Sequence, residues 1–308
     1  MSKPTVLITG CSDHGIGSAL ALTFHAQGYH VFASARDTSK MKSLRGLEHV
    51  TLLTLDVRDA AQIKGAVESV RAYLNERDPD AATDTGAAAV GPGTRKLTYL
   101  INNAGRNHFM PILDEHLDQA REVFETNVWG AVAVTKAFMP LMIDHQKERR
   151  GGGGAVVFTT SIAGYLNVPY MGTYAASKRS LELIAETLRL ELQPFNIRVL
   201  SIVTGAVKTL GQTYFGDFKL PEDSLYKAIE GTVAARARGE DGHARMGLMS
   251  YAEEVVSAIV GGKSGKVWCG ENAEATRLAG TNPNVPDGVM DQGVVQGTGL
   301  DVLGGKLE

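Results

Sequence analysis

The chain has 308 residues, 44% hydrophobic and 21% charged, with a formal net charge of −3. That is the balance of a soluble globular protein with one core near the upper size for a single domain, and it offers no basic excess for nucleic acid or an anionic membrane surface. Two cysteines, Cys11 and Cys269, argue against a disulfide framework or a metal cluster, and no apolar run is long enough to span a bilayer.

From the amino end, residues 5–9 (Thr5-Val6-Leu7-Ile8-Thr9) predict a buried strand, reached directly from Met1-Ser2-Lys3-Pro4 without a charged-then-apolar leader. A cytoplasmic, reducing location is therefore expected. The strand runs into Gly10-Cys11-Ser12-Asp13-His14-Gly15-Ile16-Gly17 and a helix over about 18–26. Strand, glycine turn and helix in that order make a phosphate cradle, because glycine lets the backbone approach a pyrophosphate and the helix amino terminus presents free N–H groups. Cys11 reads better as a small turn filler than as a reactive thiol.

Further strands are predicted over 30–35, 50–55, 97–102, 155–160, 197–203 and 266–270, and helical spacing over 60–74, 113–143 and 172–192. Seven buried strands separated by helices predict an α/β protein with a parallel, doubly wound sheet of Rossmann type and helices on both faces. One domain over 1–272 is expected. Within it, 78–96 reads as a flexible surface insertion, Gly151-Gly152-Gly153-Gly154 as a mobile connector, and 210–250 as a lid region. The stretch 273–308 reads as an irregular tail of no assigned function, with Leu307-Glu308 a cloning remnant.

Chemistry gathers around Tyr174-Ala175-Ala176-Ser177-Lys178, with Ser161 upstream at the end of an apolar run. Positions four apart share a helix face, so the phenol and the ammonium project together. A free phenol titrates near ~10, and a neighbouring ammonium lowers that value toward one useful for proton transfer. Asn127 shares a stripe with Phe124, Ala131, Val134 and Phe138, which turns its amide inward, where it must find hydrogen bonds.

Several further motifs stand in order: Leu55-Asp56-Val57, Asn102-Asn103-Ala104-Gly105 at the end of the fourth strand, Asn127 within Glu125-Thr126-Asn127-Val128, and Gly205-Ala206-Val207-Lys208-Thr209 after the sixth. With these, residues from about 5 to 270 resemble a short-chain dehydrogenase/reductase. The resemblance implies a catalytic set of Asn127, Ser161, Tyr174 and Lys178. Tyr174 would exchange a proton with the substrate oxygen and Ser161 would polarise that oxygen. Lys178 would lower the phenol pKa and bind the nicotinamide ribose, and Asn127 would hold a water leading to the lysine. It also implies cofactor contacts at Gly10, Ser12, His14, Gly15, Ile16, Gly17, Arg36, Asp56, Val57, Asn103, Ala104, Gly105, Val207 and Thr209, as well as at Tyr174 and Lys178, and no metal.

At the tip of the second strand Ala35 stands where an acidic residue would chelate an adenosine ribose diol, and Arg36 follows, which favours NADPH/NADP+. Asp37 would reverse that preference if the strand ended one residue later. Two departures from the family pattern, four residues between Gly10 and Gly15 instead of three and Thr204 in place of proline, are similar to a fungal branch of NADPH-dependent 1-acyldihydroxyacetone-phosphate reductases. That branch also gathers ketoreductases of secondary metabolism.

Tyr214, Phe215, Phe218, Leu220, Leu225 and Tyr226, with Tyr165, Leu166, Val168, Tyr170 and Met171, suggest a bulky, largely apolar carbonyl substrate or plain packing under a long loop. Arg236, Arg238 and Arg245 would suit a phosphate headgroup or ordinary surface charge. The expectation is an NADPH-dependent ketoreductase with a small-molecule partner, assembled as a homodimer or homotetramer through its long helices. The alternatives are an NAD-dependent alcohol dehydrogenase, and a cofactor-assisted cyclase or binding protein on the same fold.

Overall fold

Alternation along the strands decides which residue faces which helix layer. Val6 and Ile8 of β1 (Thr5–Thr9) join one core, while Leu7 between them joins the other. A strand apolar on both faces must be covered on both, and the computed structural model, which describes residues 3–75, 96–143, 154–286 and 288–304, shows that covering. The expected insertion up to residue 95, Gly151 to Gly153 and Leu307-Glu308 lie outside the described residues, as does the side chain of Tyr214.

The sheet also contains β2 (His30–Ala35), β3 (Val50–Thr54), β4 (Tyr99–Asn102), β5 (Ala155–Ser161), β6 (Arg198–Thr204) and β7 (Gly265–Cys269), in the order β3-β2-β1-β4-β5-β6-β7. Every neighbouring pair is parallel, with Val6 opposite Val31 on one side and Tyr99 on the other. α1 (Ile16–Ala26) and a late helix cover one face with Leu20, Phe24, Val255 and Ile259. α2 (Ala60–Asn75) and two later helices cover the other with Val70, Phe138, Leu181 and Ala185. Strand order reverses between β1 and β4, which leaves a crevice beyond their carboxyl ends.

The helix expected over 113–143 is three pieces: α3 (Leu117–Phe124), a π turn (Glu125–Gly130) and α4 (Ala131–Phe138), with 3-10 turns at Ile112–Asp114 and Met139–Leu141. Pro140 removes a helix donor at the far end. Gly130 lies so close to Val57 that a Cβ would come within 2.6 Å of its Cγ2. The remaining helices are α5 (Gly172–Glu191), α6 (Glu230–Ala237), α7 (Leu248–Val260), α8 (Ala273–Gly280), α9 (Asp291–Val295) and α10 (Leu300–Gly304). The last three correct the expectation of an irregular tail. Thr298, fully buried among glycines, caps its return onto the domain by donating to the carbonyl of Val295, 2.7 Å away. Among the described residues, no helix is long and apolar enough to cross a membrane.

Candidate active site

The glycine turn is built from backbone held by backbone. Gly10 has φ +76°, and a Cβ there would lie 2.9 Å from the Cα of Ala104; a Cβ on Gly17 would lie 2.3 Å from the carbonyl oxygen of Gly10. Asn103 braces the turn, donating through Nδ2 to the carbonyls of Thr9 (2.9 Å) and Gly10 (3.3 Å). The hydroxyl of Thr9 accepts from the N–H groups of Asn103 and Ala104, both at 3.0 Å. A turn that leaves no room for a side chain at Gly10 or Gly17 and opens at the start of α1 fits a dinucleotide pyrophosphate.

The extra residue is absorbed by His14, left-handed at φ 61° and exposed, while the carboxylate of Asp13 accepts from the N–H groups of Lys42 and Ser43. Ser12 is half-buried, and its carbonyl accepts from Gly15 N–H. Cys11 is fully buried, and burial pushes its thiol up to about 12, so it fills the turn as an inert group.

At the crevice mouth, Arg36 is exposed after the last residue of β2. Asp37 is committed elsewhere: it caps a 3-10 turn by accepting from the N–H of Ser39 at 2.9 Å, which holds its carboxyl below the ordinary range. Asp56 is also engaged, taking two bonds from the Arg58 guanidinium at 3.1 and 2.8 Å. That pairing holds its carboxyl low. The buried side chain of Val57 backs onto Gly130, so only its backbone is available at the crevice.

Ser161 ends β5, and Tyr174 and Lys178 project from α5. The Ser161 hydroxyl, which accepts from the N–H of Ala163 at 3.1 Å, lies close enough to the Tyr174 phenol to act on its titration. Burial pushes that phenol above its ordinary value and the neighbouring Ser161 hydroxyl only partly offsets this, so the expected acidification does not appear. The reason is placement: Lys178 Nζ lies 5.8 Å from the centre of the Tyr174 ring and donates to the carbonyl of Thr159 at 2.8 Å. Burial depresses the lysine to about 8.

Asn127 is fully buried, and both of its amide hydrogens are bonded. Its Oδ1 accepts from the N–H of Arg106 at 2.8 Å, while Nδ2 donates to the carbonyl of Arg106 (3.1 Å) and to Ser177 Oγ (3.0 Å). Ser177 in turn donates to the carbonyl of Tyr174 at 2.7 Å. The side chain is thus a brace between the loop after β4 and the helix. Gly105 closes the group, since a Cβ there would come 3.2 Å from Asn127 Oδ1 and 3.3 Å from Lys178 Nζ.

After β6, a Cβ on Gly205 would come 2.1 Å from the carbonyl oxygen of Glu271. Thr204, in the place expected for proline, shares a 2.6 Å hydrogen bond with the buried Tyr251 hydroxyl. Val207 is buried, and Thr209 caps the following 3-10 turn by accepting from Gly211 N–H at 3.2 Å.

Of the aromatic and apolar set, Tyr170, Met171, Phe215, Phe218, Leu220 and Tyr226 do cluster. Tyr165 does not join them: its ring lies tilted, 4.8 Å from that of Trp268, and its hydroxyl donates to Glu182 at 2.5 Å. Leu225 points outward, 71% exposed. Arg238 and Arg245 pair with Glu240 and Asp241, while Arg236 donates to the carbonyl of Gly297 at 3.4 Å. The cluster also takes in Phe109, Ile229, Val233 and Leu300. The run Phe109-Met110-Pro111-Ile112-Leu113, too apolar for a free loop, signals the first; nothing local signals Leu300.

The short chain dehydrogenase family model matches residues 4–79 and 76–218. Short-chain dehydrogenase PC-15 of Penicillium crustosum is 41% identical over 273 residues, covering 89% of this chain and 90% of its own length. The NADPH-dependent 1-acyldihydroxyacetone phosphate reductase of Schizosaccharomyces pombe is 35% identical over 227 residues, covering 72% of this chain and 67% of itself. Among solved structures, a short-chain dehydrogenase from Streptomyces avermitilis shares the fold at a TM-score of 0.70 and 24% identity, covering 100% of this chain and 99% of that one. By sequence, the chain belongs to the short-chain dehydrogenase/reductase family, oxidoreductases that bind a nicotinamide cofactor.

Proposed function

We propose that this protein is an NADPH-dependent ketoreductase acting on a bulky, largely apolar ketone and its secondary alcohol. The observation that carries the reading is the Tyr174 phenol beside Ser161, one turn before the buried Lys178 on α5 and four residues after Tyr170 of the apolar cluster. Bound NADPH supplies the hydride. Ser161 Oγ donates to the ketone oxygen, and Tyr174 Oη delivers the proton to that oxygen as charge develops on it. A phenol held above its ordinary value keeps its proton at neutral pH, which is the form that reduction requires. Lys178 and Thr209 hold the nicotinamide end; Gly10, Gly15, Ile16 and Gly17 the pyrophosphate; and Asp56, Val57 and Asn103 the adenine side.

Arg36 supports the phosphorylated cofactor, because it stands exposed directly after β2 while Asp37 beyond it turns one oxygen to the N–H of Ser39. The yeast relative bearing an NADPH-dependent name agrees with this. Two buried free thiols, Cys11 and Cys269, suit a reducing cytoplasm. Ile112, Leu117 and Trp129 are 68%, 65% and 54% exposed along the groove between α3 and α5, which supports a homo-oligomer through these helices. A sedimentation profile of monomer alone would remove that last inference.

Turnover with NADPH and NADH over a panel of aromatic and aliphatic ketones tests the proposal. Tyr174→Phe is expected to lower kcat by ~10³-fold or more with NADPH affinity within ~3-fold, since only the proton donor is removed. Retained turnover rejects the assigned acid. Arg36→Ala is expected to weaken NADPH by ~10–100-fold and leave NADH unchanged. Equal weakening of both would show that the guanidinium touches no phosphate.

A further inference from the structure

The first turn of α5 carries Tyr174 yet has no side-chain cap of its own, because Met171 at its N-cap offers no hydrogen bond. Tyr170, just before it, is in the left-handed region at φ 69°. Uncapped helix starts fray, and a proton donor on such a turn would wander. The turn is held from outside. Thr173, the residue before Tyr174, donates from Oγ1 to Glu115 Oε1 at 2.7 Å, and Glu115 Oε2 pairs with His108 Nε2 at 2.8 Å. The side chains of Glu115 and His108 are 5% and 8% exposed, so this carboxylate is buried with a partner on each oxygen.

The preceding residue faces elsewhere. Asp114 Oδ2 accepts from Ser224 Oγ at 2.6 Å, and Ser224 belongs to the segment whose Leu220, Tyr226 and Ile229 pack on Phe109 and Tyr170. The same loop donates from Met110 N–H to the carbonyl of Tyr170 at 2.7 Å. Two adjacent carboxylates therefore grip two different walls of the site, one the catalytic helix and one the lid.

We propose that Asp114-Glu115 is a positioning pair: Glu115, through Thr173, sets the turn that aims Tyr174, and Asp114, through Ser224, sets the lid over the substrate. A substrate seated under the lid is thereby registered against the phenol through one stiff loop. The proposal rests on Tyr174 being the proton donor.

The decisive comparison is Thr173→Val against Thr173→Ser in the full-length protein, with Thr173→Ala replacing the valine variant if that one does not fold. Loss of the hydroxyl is expected to lower kcat by about tenfold with the KM for ketone and the NADPH affinity within about twofold, and serine is expected to restore most of kcat. Ser224→Ala is expected to raise KM for the ketone more than it lowers kcat. Backbone amide exchange over 173–178 is expected to quicken in Thr173→Val while exchange in α7 stays unchanged. Identical kcat in the valine and serine variants, or unaltered exchange over 173–178, overturns the proposal. A wild-type protein that turns over no ketone sinks the functional reading instead, and the exchange measurement then judges the positioning pair by itself.

Discussion

On the proposed cofactor side of Asn103, the crevice is made of main chain: Gly10 and Gly17 lie so close to the backbone of Ala104 and Gly10 that a Cβ on either would clash, and Thr9 and Asn103 bond this turn in place. On the substrate side it is made of side chains drawn from remote parts of the chain, Phe109, Tyr170, Leu220, Ile229 and Leu300. A backbone cradle recognises what every dinucleotide shares and has no tolerance for change. A wall of apolar side chains recognises size and shape, and it can be repacked at small cost. The contrast explains how one scaffold keeps one cofactor class while its substrates vary.

The strongest test of the rigid side is Gly17→Ala. The new Cβ would lie 2.3 Å from a backbone oxygen that cannot move aside, so we expect ~1–3 kcal/mol of lost stability and NADPH affinity lower by ~100-fold, read by fluorescence titration. Affinity within ~3-fold of wild type would show that this turn is not the cradle.

Lys178 sits where the two sides meet, and its burial sets a pH-dependent cost. An unfolded lysine titrates near ~10.4, whereas burial puts the folded one at about 8. The unfolded chain then binds more protons between those values, so stability rises with pH across that window. The cost, ~3 kcal/mol, is present in full below the folded value and vanishes above the unfolded one. Lys178→Met should therefore stabilise the protein by a margin ~2 kcal/mol larger near pH ~7 than near pH ~10, measured by denaturant melts. A pH-independent margin would mean that the ammonium is not desolvated.

The smallest effect is expected on the adaptable side. Tyr170→Phe removes the 2.9 Å bond from its hydroxyl to the carbonyl of Thr298, costing ~1 kcal/mol and raising the ketone KM a few-fold, with NADPH affinity unchanged. A parallel loss of NADPH affinity would erase the distinction between the two sides.

The strands were legible because burial on both faces leaves short unbroken apolar runs, such as Val6-Leu7-Ile8, between turn residues. Tyr174, Lys178, Ser161 and the glycine turn were legible because each is defined by spacing within one element. The π turn was not: its apolar spacing continues that of the flanking helices, and the packing of Gly130 on Val57 joins residues brought together only by folding.

Sequence alone therefore determined the parallel sheet, the glycine turn after its first strand and the shared face of Tyr174 and Lys178 on α5, since periodicity and local motifs carry that information. Tertiary structure alone decided that Asp37 is spent on a cap and that Asn127 braces Arg106 and Ser177. It also decided that Lys178 turns to Thr159 and that Thr298 and Leu300 return over residues near the site. Hydrogen-bond partners and desolvation depend on distances between residues far apart in the chain, and those distances exist only once the chain has folded.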